Sequence, residues 1–546
     1  MYPLLAKAPC NASNHHVAFT PGLAALHSHL IRKTIVQTIL AVALSISILT
    51  IGYAGSATWD LNPTSGDWNT AANWTPMTVP NGPGDIATFA LSNATNLSIS
   101  ANIEVNAITF TSGNSGYTIT VPDFLSLTFS GAGIIGDAQF VTIDGTHGGS
   151  AFFLNRSTAG NTTIGVGFGG EIVFSNSSTG GNATLYNFQS SGTSFFDDST
   201  AGNATIIQTD GLATLEFRGN STAGNADIGT GEDTSEVIFA DRSNADNATI
   251  SGGSEVDFDG FSTAGRASIT VFNQFLIFAG SSTGGTAQIQ LEADPTFGGS
   301  GTLDITGHNA RGVTIGSIEG DANSFVSLGA HNLTVGSNHL STTFSGVIED
   351  NGFNGSLTKI GSGTLDLKGA NTYTGQTNIN GGVLQVDGSI SSNTFINHKG
   401  VLAGGGTVYG NVTNYGGDVS PGDPLGVPGV LTVSNNYMQT PSASLTVQIG
   451  GTNPNQVSVL NVLGNANLRG ALDPELVNGF DPDIGQSFTI LGYASVTGSF
   501  SHIQKQVFDN GRKRWVLVYQ PTGAALVVVR NGHGNSRVDT DSQLGR

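Results

Sequence analysis

One register runs through residues 151–290, and it constrains the fold more tightly than any other feature of the chain. Ser157, Ser178, Ser199, Ser221, Ser243, Ser262 and Ser282 stand 21, 21, 22, 22, 19 and 20 residues apart. Four residues before each stands a phenylalanine: Phe153, Phe174, Phe195, Phe217, Phe239, Phe258 and Phe278. Seven residues after each stands Ile164, Leu185, Ile206, Ile228, Ile250, Ile269 or Ile289. Two before that aliphatic residue comes alanine in all copies but the first (Ala183, Ala204, Ala226, Ala248, Ala267, Ala287). One step earlier, Asn161, Asn182, Asn203, Asn225 and Asn247 fill the first five copies. Neither a helix nor an isolated hairpin explains a period near 21. The spacing predicts stacked parallel strands, each residue lying on its counterpart about 4.8 Å away. Each unit then holds a strand ending in Phe, a turn of the STAGN type and a second strand A-x-I. Phe and Ile form buried columns, at roughly 1.5–3 kcal/mol per side chain. Ala lies where space is tight, and Asn forms an amide ladder along a turn. No rung buries its apolar face alone, so stability is cooperative along the stack. The repeat itself generates N-x-S/T triplets such as Asn182-Ala183-Thr184 and Asn203-Ala204-Thr205.

From Trp59 onward, short alternating runs separated by Gly, Asn, Asp and Ser recur with no helical period. Gly is 77 of 546 residues and charged residues are only 11%, against about a quarter in ordinary domains. Asn, Ser, Thr and Gly supply the polarity, and they suit turns and strands better than helices. The expected fold is all-β: a right-handed parallel β-helix (β-solenoid) with a β-rich C-terminal segment. Coiling residues 59–435 at about 21 per rung predicts roughly 18 rungs. The expected divisions are a leader and signal at 1–57, a cap and first rungs at 58–150, and the array at 151–290. The solenoid continues at 291–435, a β-rich segment fills 436–530, and a polar tail closes 531–546.

The formal net charge is −20. Three of the nineteen basic residues and none of the thirty-nine acids precede Thr58, so the remainder is more acidic still. Such a surface argues against nucleic acid as a partner, because phosphate binding needs clustered Lys and Arg. The one basic cluster, Arg512-Lys513-Arg514, lies between two apparent strands and reads as a solvated hairpin. The single cysteine, Cys10, leaves no disulfide framework downstream. Arg32-Lys33 opens the run TIVQTILAVALSISILTIGYAGSA, which has a basic flank, an apolar core and small residues ending at Ala57. This is the layout of a secretory signal cleaved after Ala57, with no membrane-spanning segment expected after cleavage; the alternative is an uncleaved membrane anchor, since the apolar run approaches the length that spans a bilayer. A start site placed too early would account for the unusually long leader of residues 1–30.

Residues 359–390, KIGSGTLDLKGANTYTGQTNINGGVLQVDGSI, resemble the autotransporter-associated β-strand repeat, also called the passenger-associated transport repeat. Gly361, Gly363, Thr364, Leu365, Leu367, Gly369, Asn371, Thr372, Tyr373, Gly375, Thr377, Ile379, Gly382, Leu384 and Val386 carry the match. Residues 400–433 and the opening TWDLNPTSGDWNTAANW, with Trp59, Trp68 and Trp74, are similar to flanking segments of such chains. The resemblance implies a β-helical passenger, secreted or held at the outer membrane and cell surface of a Gram-negative-type bacterium. Self-transporting members end in an outer-membrane barrel, built from at least eight strands of about 9–11 residues. This chain closes on WVLVYQ, ALVVVR and a polar tail, so a passenger without a C-terminal barrel is expected.

Parallel β-helices also serve as polysaccharide lyases and hydrolases, which converge carboxylates on an outward face. Glu171, Glu236 and Glu255 share the position seven before the serine, and Glu216 and Asp257 share the position five before it. These odd offsets face outward if Phe faces inward. They are scattered among neutral residues, and solvated surface is the favoured reading. His331 and His339 lack metal-ligand spacing. Gly404-Gly405-Gly406-Thr407 lacks the lysine of a phosphate loop. Asp481-Pro482-Asp483 and Asp539-Thr540-Asp541 fall short of a calcium loop. No catalytic, cofactor or metal residue is assigned. The expected function is a non-enzymatic, adhesin-like or structural surface protein whose partners are glycans, matrix or other cell surfaces. The alternative is a carbohydrate-active β-helix enzyme.

Overall fold

The computed structural model describes residues 55–532 apart from 137–139, 144–147, 210, 232–234, 294–298 and 310. The signal reading of residues 1–57 and the polar tail therefore fall almost wholly outside the described residues. Among the described residues the only helical pieces are two three-residue 3-10 turns, Ala71–Asn73 and Pro454–Gln456. The chain coils into a parallel β-solenoid of about 16 turns. That is fewer than the roughly 18 rungs expected, and rung length varies outside the array, from 17 residues between Leu402 and Val419 and 18 between Leu384 and Leu402 upward. Phe129 pairs with Phe153, 24 residues on, and Leu276 with Leu303, 27 residues on.

Each array rung makes two short strands. The first face stacks Ser150–Phe153, Glu171–Phe174, Gly192–Phe195, Thr214–Phe217, Glu236–Phe239, Glu255–Phe258 and Phe275–Phe278, with Phe on Phe. The second stacks Thr163–Val166, Thr184–Asn187, Thr205–Gln208, Asp227–Thr230, Thr249–Gly252 and Ser268–Phe272. Consecutive rings from Phe153 to Phe278 lie 4.6–5.0 Å apart and within 11° of parallel. All seven are fully buried. A centroid spacing set by the strands forces an offset stack, which suits the ring quadrupole. Phe129 extends the column one rung earlier, at 4.6 Å.

Two turns join the strands. In the first, the N–H of each serine donates to the carbonyl three residues back, as Ser178 does to Ser175 at 3.3 Å. The second residue of that turn sits in the left-handed region in every copy: Asn155, Asn176, Asp197, Gly219, Asp241, Gly260 and Gly280, at φ 57–69°. Only Asn, Asp and Gly occupy it, as the steric cost of a left-handed backbone requires. The second turn carries the amide ladder. Asn182 Nδ2 donates to Asn161 Oδ1 at 3.0 Å, and Asn203, Asn225 and Asn247 continue at 3.1, 3.0 and 3.1 Å. Arg266 ends it, its Nε donating to Asn247 Oδ1 at 2.8 Å. Asn203→Ala is expected to cost about 1 kcal/mol in denaturant unfolding, because water competes for these exposed amides. A loss several times larger would make the ladder, and not the apolar columns, the main source of cohesion.

Beyond the array a third face acquires full strands, from Gly312–Ile315 and Asn332–Val335 to Thr394–Ile396 and Val412–Asn414. The 359–390 motif now has a physical reading. Leu365 and Leu367 stack on Leu384 and Val386, while buried Tyr373 shares a hydrogen bond with Thr377 at 2.6 Å. Parallel pairing continues through Ala471–Leu476 to His502–Ile503.

Both ends of the coil are plugged. At one end, buried Trp59 and Trp68 each pack edge-on to Trp74 at 5.0 Å. Their indole N–H groups donate to the carbonyls of Ala94 and Pro80 at 3.0 Å. At the other, the antiparallel hairpin Lys513–Gln520 and Gly523–Arg530 packs on Ser487–Gly498 and buries Trp515 against Phe508.

Candidate functional site

With Phe inward, the positions five and seven before each serine face outward on the first face. Glu236 and Glu255 are register partners on adjacent rungs. Glu171 stands apart from them, because Gly192 and Thr214 occupy the two rungs between. Glu216 and Asp257 are separated by Ile238, and Glu216 is paired instead with Arg218.

Around Asp257, Glu255 and Glu236, which the spacing picked out, the structure adds two acids that it did not. Asp259 lies two residues beyond Asp257, and Asp304 joins from the column of Ile277. The signal for Asp304 was masked by the long rung that precedes it. Burial first, then repulsion from Asp259, Glu255 and Glu236, raises the Asp257 carboxyl to about 7, with Arg218 opposing. One of its oxygens is buried without a hydrogen-bond partner. Glu255 is raised by burial, then by Glu236 and Asp304. Burial and like charge that hold a carboxyl protonated toward neutrality suit a general acid, and Asp257 is the carboxyl of this patch that they raise to about 7.

The other candidates have structural explanations. His339 accepts the Ser362 N–H at 3.1 Å, whereas His331 lies edge-on to His308 at 6.2 Å; the two do not converge. Gly404 sits at φ 109°, where a Cβ would meet the Val386 carbonyl at 2.2 Å, and a Cβ on Gly406 would meet the Gly388 carbonyl at 2.0 Å. These glycines permit close stacking of rungs. In the basic cluster, Lys513 pairs with Asp481 at 2.7 Å and Arg512 with Asp509 at 3.4 Å. Asp539 and Asp541 lie outside the described residues. Lys359 takes an inward position between Val335 and Ile379. Burial lowers its ammonium to about 8, and it donates to the Ile360 carbonyl at 2.6 Å. A groove of about 370 Å³ runs between Pro474–Val477, Lys505, Phe508 and Trp515, with Lys505 held by Glu475 at 2.9 Å. Among the described residues no helix is long and apolar enough to cross a membrane.

Residues 357–386 match the Passenger-associated-transport-repeat family. The chain is 48% identical over 77 residues to an extracellular serine protease of Serratia marcescens, 14% of this chain and 7% of that protein. It is 32% identical over 183 residues to the adhesin BmaC autotransporter of Brucella suis biovar 1 (strain 1330), 31% of this chain and 5% of that protein. The chain thus spans less than a tenth of either relative. The crystal structure of the Haemophilus influenzae Hap adhesin aligns over 81% of this chain and 64% of its own at 11% identity, with a TM-score of 0.25, too low to argue from.

Proposed function

We propose that this exported β-helical passenger, secreted or displayed at the surface of a Gram-negative-type bacterium, is an adhesin-like protein and not an enzyme. The observation that carries the reading is the Asn161–Asn247 ladder, which presents the same outward amide on five consecutive rungs. Identical weak contacts repeated at about 4.8 Å intervals gain by avidity what a single shallow contact lacks. The 183-residue likeness to a protein described as an adhesin supports it. Beads coated with the full chain are expected to be retained on glycan-, matrix- or cell-coated surfaces at least tenfold over albumin-coated beads. Retention equal to albumin on every surface would overturn the reading.

The acidic patch favours one second reading, a carbohydrate-active enzyme with Asp257 as the acid, and the likeness to an extracellular serine protease keeps catalysis in view. Under the adhesive reading, Glu171→Ala/Glu236→Ala/Glu255→Ala leaves retention nearly unchanged, and no reducing ends or unsaturated uronates are released from a polysaccharide panel. Release of either by the parent chain, abolished in Asp257→Asn or in the triple variant, would establish the second reading.

A further inference from the structure

In a chain of net charge −20, one stretch of the second face carries no charge. The outward residues of its three consecutive rungs are Thr163 and Gly165, then Thr184 and Tyr186, then Thr205 and Ile207, with Phe188 just beyond its strand. Beside them run Asn161, Asn182 and Asn203 of the amide ladder. The first acid on this face is Asp227, one rung later. The Tyr186 and Phe188 rings lie 5.9 Å apart and 9° from parallel. Phe188 is 43% exposed. It leans over the preceding rung, where a Cβ on Gly165 would lie 3.5 Å from its ring. Exposed Phe168 and Leu212 occupy the corner turn on the rungs either side.

We propose that this face binds a neutral polysaccharide lying along the stack. The inference rests on the adhesive reading and deepens it by assigning the face and the ligand class. A sugar ring offers an apolar C–H face to an aromatic ring and hydroxyls that both donate and accept. Asn182 and Asn203 each spend one amide hydrogen and one carbonyl lone pair on their neighbours, Asn161 accepts one hydrogen bond from Asn182, and a primary amide has two hydrogens and two lone pairs. Charge matching selects the ligand. An anionic glycan finds no Lys or Arg on the face and meets the field of an acidic chain, and a cationic polymer finds no acid there. Successive rungs offer the same amide and hydroxyl groups, so one chain of sugars engages several at once.

The test is affinity electrophoresis of the full chain through gels containing hydroxyethylcellulose, laminarin, galactomannan, dextran or polygalacturonate. At least one of the four neutral polymers is expected to retard the parent chain, and polygalacturonate is not. Tyr186→Ser/Phe188→Ser, with unchanged far-UV circular dichroism, is expected to weaken that binding at least tenfold. Glu236→Gln/Glu255→Gln on the first face is expected to leave it unchanged. Retardation by polygalacturonate alone, by no polymer, or equally in the Tyr186/Phe188 variant would overturn the proposal. So would a dimer of the parent chain that this variant dissociates, which would make the face a self-association surface. Coated beads separate the two claims. If parent and variant beads are retained equally, adhesion stands and this face is wrong. If neither is retained while gels still show retardation, the glycan site stands and the adhesive reading is lost.

Discussion

Replacing Phe217 with alanine is expected to destabilise the coil by about 3–5 kcal/mol, at the upper end of single core truncations. Its ring lies between Phe195 at 4.8 Å and Phe239 at 4.7 Å, within 5° of both planes, and is fully buried. Truncation therefore removes two stacking partners and opens a void. The void closes poorly, because parallel hydrogen bonds on both sides hold the backbone at the rung spacing. Phe217→Leu keeps most of the volume and is expected to lose clearly less. The measurement is urea denaturation followed by far-UV circular dichroism. Tryptophan fluorescence would report the ends, where Trp59, Trp68, Trp74 and Trp515 sit. A loss below about 1 kcal/mol for Phe217→Ala would mean that the ring column is not what holds the array together.

Asp257→Asn is expected to stabilise the protein at pH 8, by an amount on the order of 1–3 kcal/mol. Its folded carboxyl is raised from an ordinary 3.8 to about 7, so the folded state holds the proton more tightly than the unfolded chain does. Stability from this group is present at acid pH. It is lost as the pH climbs from about 4 to about 7, where the unfolded carboxyl is ionised and the folded one must follow. The amide removes that cost, so the advantage of the variant is greatest above pH 7 and vanishes below pH 4. Denaturation midpoints at pH 4, 6 and 8 measure it. An identical pH profile for parent and variant would show that the Asp257 carboxyl is perturbed neither by burial nor by its neighbours.

Much of the architecture was legible because the contacts that matter most recur along the chain. Phe174 and Phe195 are neighbours through their shared offset from Ser178 and Ser199, and the Asn161–Asn247 ladder follows from the same register. Even the left-handed turn was written in the residues, since only Asn, Asp and Gly occur two before each serine. The acidic patch was less legible. Glu236 and Glu255 share an offset and do meet, but Glu171 shares it too and lies three rungs away. Offset identifies a column and leaves distance along it to be counted.

The sequence by itself therefore determined the repeat, the inward columns and the register of each array rung, because periodic spacing turns a local pattern into a pairing with the next copy. Tertiary structure alone decided which outward groups converge. The 27-residue step from Leu276 to Leu303 brings Asp304 into the field of Glu255. The lean of Phe188 over Gly165 joins two rungs into one surface. The Trp59–Trp68–Trp74 plug and the hairpin over Trp515 close the two ends. Each of these depends on rung lengths and side-chain packing where the period breaks. There a residue's neighbour is no longer a fixed number of positions away, and only the folded path says which groups share space.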